Sequence, residues 1–138
     1  MTAEALTLIM RWLHIASVAS LIGGMIYGSA VMMTSVGELA PEARKALEEK
    51  TAVFFRRIVV VAIVCLTLSG TYNIVIHTGH SKLYHALFGV KLLLVAHIFA
   101  SAILATQPNN PRRGRQMASA AISGLIVIAI SAWLRFNY

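Results

Sequence analysis

The stretch IVVVAIVCLTLSGTYNIVI, Ile58 to Ile76, contains no charged side chain. A helix rises about 1.5 Å per residue, so about 20 residues cross the roughly 30 Å hydrocarbon core of a bilayer. A run of this length and purity reads as a membrane span. Three further runs have the same character: Trp12 to Met33 before it, and Ala86 to Ala105 and Met117 to Leu134 after it. Lipid offers no partner to an open sheet edge, so each run is expected to be helical. The first run does not read as a cleaved signal peptide. Glu4 stands where a basic cluster would be, and the apolar stretch is too long.

Composition agrees. Of 138 residues, 58% are hydrophobic and 12% charged; soluble domains carry about 25% charged residues. Mean hydropathy is +0.75. The length suits one domain over residues 1–138. Cys65 is the single cysteine, which excludes an intramolecular disulfide and argues against a thiolate-rich metal site. A net charge of +7 and a pI near 10.2 raise the question of nucleic acid. The bases cluster between apolar runs, where membrane topology uses them, so no nucleic-acid partner is expected.

The connections set the arrangement. Glu38 to Lys50 is a charged connector, in which Pro41 suits a helix start and Ala43 to Lys50 a surface helix. Thr78 to Lys82 reads as a tight turn around Gly79, and Gln107 to Arg115 as a loop marked by Pro108-Asn-Asn-Pro111. Short connections make sequential helices antiparallel. The expected fold is therefore all-α, an integral membrane antiparallel four-helix bundle. Arg44, Lys45, Lys50, Arg56 and Arg57 flank the first connector, and Arg112, Arg113 and Arg115 the third; Arg11, Lys82 and Arg135 stand at the opposite end. Eight against three places both longer connectors in the cytoplasm and both termini outside, in the inner (plasma) membrane.

Ionisable residues inside a membrane are costly and mark function by default. His14 lies just inside the outer end of the first run, and Lys91 about a turn and a half in from the same surface in the third. His97 lies slightly beyond the middle of the third run, and His77, His80 and His85 crowd the outer ends of the second and third. No Asp or Glu occurs in any run, which leaves a carboxylate proton path unsupported. Several imidazoles with a lysine and no carboxylate suit haem b, whose iron takes a neutral imidazole and whose macrocycle fills an apolar slot between helices. Arg11, one turn outward of His14, is placed to meet the propionates. No Cys-x-x-Cys-His occurs, so attachment would be non-covalent. Copper is the alternative metal, since imidazole and thioether both suit it, although Met25, Met32 and Met33 show no tight spacing with a histidine.

Each residue also has a plainer reading. His14 or His97 can hydrogen-bond a neighbouring helix, and Lys91 can snorkel toward the surface. His77, His80 and His85 suit an interfacial position, and Tyr72 and Trp133 an aromatic belt. Arg112, Arg113 and Arg115 read as topology signals. Gly24 and Gly28 form a GxxxG pattern that suits close helix packing and, equally, room for a macrocycle. Depth divides the ligands into two levels. An outer level holds His14 with His85, His77 or Lys91, and an inner one His97, about nine residues or 13 Å deeper. One haem or two are compatible with this.

The stretch Arg11-Trp-Leu-His-Ile-Ala-Ser-Val with Gly23-Gly24 and Tyr27 resembles the first helix of a bacterial group that includes the membrane-type protoporphyrinogen oxidase and the copper-resistance protein D family. Phe55-Arg56-Arg57-Ile58, entering a helix with Gly70, resembles their second segment; Gly89-Val90-Lys91-Leu92-Leu93-Leu94 resembles their third. The resemblance covers three of the four helices. It implies roles in haem binding or catalysis for His14 and Lys91. The oxidase has an Arg-x-x-Asn-Glu-like element before its last helix. This chain has Arg113-Gly-Arg-Gln-Met there, without an acid, which argues against that enzyme activity. His97 has no counterpart at that spacing and favours ligation. The expectation is a cytochrome b-like electron-transfer protein of the bilayer, with a redox partner protein or quinone and with homo-oligomerisation left open. A tetrapyrrole-modifying oxidase and a copper transport or accessory subunit are the alternatives.

Overall fold

The computed structural model describes residues 2–76 and 82–137, and every regular element in them is helical. α1 runs over Ala3–Tyr27, passes through a π-helical turn at Gly28–Met32, makes one more α-turn at Met33–Ser35 and closes with a 3₁₀ turn at Val36–Glu38. α2 is Pro41–Ile76, α3 Lys82–Ala105 and α4 Arg113–Asn137. All four are long and apolar enough to cross a membrane. The protein is an all-α, four-helix, multi-pass membrane protein. The turn expected around Gly79, with His77 and His80, lies outside the described residues.

Local chemistry explains the boundaries. The Thr2 hydroxyl accepts a hydrogen bond from the Ala5 amide at 3.1 Å, capping α1, and Glu4 in the first turn complements the helix dipole. Pro41 sits at the first position of α2, where a missing N–H costs nothing. The separate surface helix expected at Ala43 to Lys50 is the first part of α2 itself. No glycine or proline interrupts the chain between Glu42 and Ser69, so one helix of 36 residues forms, about 54 Å long. In the same way α1 begins at Ala3 rather than Trp12. The π turn contains Ser29, whose hydroxyl donates to the Met25 carbonyl at 2.9 Å and to the Ile26 carbonyl at 3.3 Å, alongside the main-chain ladder.

α1 packs antiparallel on α2, α4 antiparallel on α3, and α1 on α4; α2 and α3 touch only sparingly. Between helices in lipid, burial of apolar surface gains little, and packing with interhelical hydrogen bonds takes over. The core shows this. Ala62 of α2, Ala102 and Ala105 of α3, and Ala120 and Ala121 of α4 pack around Leu21, Met25 and Val59, which brings backbones close. Outward-facing residues are large and apolar, with Leu8 68% and Leu93 75% exposed, as contact with lipid requires.

At the connector end, Arg113 forms a buried hub, 2% exposed. Its Nε donates to the Ala105 carbonyl at 2.8 Å and Nη2 to the Gln107 carbonyl at 2.7 Å. Nη2 also reaches Glu49 of α2 at 3.4 Å, and Nη1 lies 4.0 Å from Glu48. The amide of Asn109, a residue at φ 54°, donates to the same Glu49 carboxylate. Arg113 was expected to be a topology signal beside Arg112 and Arg115. Those two are exposed; Arg113 is buried and in addition ties the α3–α4 loop to α2.

Candidate functional site

His14 faces α2 from α1. Its Nδ1 lies 2.9 Å from the hydroxyl of Ser69. Ser69 is fully buried and also donates toward the Leu66 carbonyl at 3.3 Å. Closer to the end of the bundle that holds Ala3, the hydroxyls of Thr7 and Tyr72 meet at 2.8 Å. Two polar bridges therefore join α1 to α2 in the half of the molecule remote from the connectors. A hydrogen bond at Nδ1 fixes the imidazole plane and leaves Nε2 as the nitrogen for a metal.

Lys91 of α3 completes this level. Its ammonium lies 6.0 Å from the centroid of Phe88, one turn back toward the start of α3, so the side chain leans away from the bilayer centre. Ser69 is followed by Gly70, and Lys91 is preceded two residues earlier by Gly89; a Cβ at either glycine would meet nothing within 4 Å. These open positions lie on α2 and α3, the neighbours that touch least.

His97 occupies a second level. Its Nε2 lies 2.9 Å from the Ser119 hydroxyl on α4 and 3.5 Å from that of Ser101 one turn on. Ser119 is two residues from Met117, which packs on Gly28 of α1. His97 is therefore level with about Ile26, twelve residues from His14, or roughly 18 Å along the helix. The two imidazoles cannot share one metal ion.

The remaining candidates divide. Arg11 is exposed, at the rim of a shallow recess with Ala3, Glu4, Thr7 and Leu8, one turn from His14. His85 is exposed in the first turn of α3. Gly24 faces the Phe55 ring and Gly28 faces Met117, so side chains already take the space these glycines leave. No group of three or more His, Cys, Asp or Glu residues able to hold a metal ion occurs among the described residues. The serine partners Ser69, Ser101 and Ser119 escaped the sequence reading, since a serine in an apolar run carries no signal of which helix it will face. Comparisons with protein-family models, with curated proteins and with solved structures give no match.

Proposed function

We propose that this protein is a membrane-embedded b-type haem-binding redox protein, with His14 as the iron ligand. The observation that carries the reading is the His14–Ser69 hydrogen bond. Histidines that bind metals nearly always engage their second nitrogen with a fixed partner, which sets tautomer and ring orientation. A haem needs only one or two axial ligands, which a single oriented imidazole such as His14 can supply. The slot that suits the macrocycle is the sparse contact between α2 and α3 beside Gly70 and Gly89. A macrocycle against Gly24 and Gly28 would have to displace Phe55 and Met117. Lys91 and Arg11 are the cations on hand for propionates. Bound haem supplies one-electron chemistry, and the chain supplies the ligand, its orientation and a water-poor surrounding. A redox partner protein or quinone would exchange the electron. The membrane in this reading is the inner membrane, with both termini outside, by the excess of basic residues at the connector end.

The test is an absorption spectrum of protein purified from a haem-competent host, oxidised and reduced. A Soret band and a b-type pyridine haemochrome are expected, and both should be lost or shifted in His14→Ala. A colourless wild-type preparation, or a His14→Ala variant with full haem and an unchanged spectrum, would overturn the assignment.

A further inference from the structure

A second feature owes nothing to haem. On the lipid-facing side of the α1–α2 pair runs a shallow cleft of about 390 Å³, lined by Leu13, Ala16 and Ser20 of α1 and by Arg57, Val61 and Cys65 of α2, among others. Small side chains on α1 make its floor. Arg57 and Ser20 stand at one end, Cys65 and Leu13 at the other, eight residues or about 12 Å apart along α2. Arg57 is the only charged residue in the lining, and it sits immediately before the apolar run that starts at Ile58.

Among the described residues, no carboxylate forms an ion pair with Arg57. Past Glu49 the chain has no Asp or Glu, and it has none between Glu4 and Glu38. Glu49, two helical turns away, is engaged by Arg113 and the Asn109 amide. The Arg57 guanidinium lies over the Phe54 ring, 5.8 Å from its centroid. A guanidinium exposed at the mouth of an apolar cleft, without a carboxylate partner, complements a phosphate whose hydrocarbon tail fills the cleft.

We infer that the α1–α2 cleft is a binding site for an anionic phospholipid, its phosphate on Arg57 and one acyl chain along Ser20, Ala16 and Leu13. Guanidinium groups at a membrane surface attract anionic headgroups by an amount equivalent to about fivefold in affinity each, and this cleft adds a place for the chain.

Lipid binding to the detergent-solubilised protein, read by native mass spectrometry with phosphatidylglycerol and phosphatidylcholine as probes, tests the site. Wild type is expected to hold phosphatidylglycerol about fivefold more tightly. Arg57→Gln should bring phosphatidylglycerol down to the phosphatidylcholine level, whereas Arg112→Gln, which does not line the cleft, should keep the preference. Ala16→Phe fills the cleft with Arg57 intact and should weaken both lipids; it carries the test should Arg57→Gln fail to fold. Retention of the preference in Arg57→Gln, unchanged binding in Ala16→Phe, or displacement of the lipid by inorganic phosphate alone would overturn the proposal. So would lipid-free dimerisation that Ala16→Phe abolishes, which would give the cleft to a second copy of the chain.

Discussion

His14 Nδ1 and Ser69 Oγ, 55 residues apart in sequence, lie 2.9 Å apart across the α1–α2 interface. Removing the hydroxyl leaves the imidazole in place without its orienting partner. Ser69→Ala is expected to weaken haem retention by roughly 10–100-fold, the usual effect of losing the partner of a ligating histidine. Its stability cost should be small, about 0.6 kcal/mol for one interhelical hydrogen bond in a membrane. Haem titration into the apoprotein, beside thermal unfolding in the same detergent, separates the two effects. An unchanged haem affinity would reduce Ser69 to a packing contact.

His97 and Ser119 form the corresponding pair on α3 and α4. About 18 Å separates this level from His14, so His97→Ala should leave the His14-dependent haem signal intact. A reduced-minus-oxidised spectrum of the variant checks this. Disappearance of the whole signal would rule out two independent levels.

The reach of the sequence follows from what each feature depends on. Four uncharged runs of membrane length announce four helices whatever their neighbours, so the fold was readable from Ile58–Ile76 outward. Helix ends are less readable: the apolar runs begin at Trp12 and Ile58, whereas a helical backbone continues past them until a breaker, and Pro41 is the first one after Gly37. Alignment of the helices by their apolar boundaries puts His97 about nine residues beyond His14. Contacts through Met117 and Gly28 put it nearer twelve. Arg113 is the clearest omission. Three arginines within four residues look alike in sequence, and only the approach of Glu48, Glu49 and the Ala105 carbonyl distinguishes the middle one.

Topology is testable without any cofactor. Eight basic residues flank the two longer connectors and three the opposite end. Reporter fusions at Pro41 and Asn109 should report cytoplasm, and a fusion after Tyr138 the other side. A cytoplasmic C-terminal reporter would invert the orientation.

Arg113 should matter to stability more than any other connector cation. Arg113→Gln strands the Ala105 and Gln107 carbonyls and removes the charge facing Glu48 and Glu49. The two carboxylates keep part of their solvation, with side chains 20% and 29% exposed. The expected loss is therefore about 3 kcal/mol, the low end of the range for breaking a buried pair. Arg113→Lys should recover only part of it, because an ammonium cannot reproduce the fork that serves two carbonyls and a carboxylate. Unfolding midpoints of the two variants and Arg112→Gln, in one detergent, give the comparison. Equal loss in Arg112→Gln and Arg113→Gln would mean that the hub contributes nothing specific.

Gly23 and Gly24 are adjacent and provide an internal control for helix packing. A Cβ at Gly23 would meet nothing within 4 Å, whereas one at Gly24 would strike the edge of the Phe55 ring. An aromatic ring cannot yield by rotating a terminal methyl, so either α1 and α2 separate or the ring leaves its rotamer. Gly24→Ala should therefore cost about 1–3 kcal/mol of overpacking. Gly23→Ala should be neutral or stabilising by up to about 1 kcal/mol, the helix propensity gained. Thermal unfolding of the two apoproteins reads this difference. The same pair bears on where a macrocycle lies. With the slot between α2 and α3, Gly24→Ala lowers stability and leaves the haem spectrum unchanged. A spectrum altered by Gly24→Ala in protein that remains folded would return Gly24 to the cofactor site.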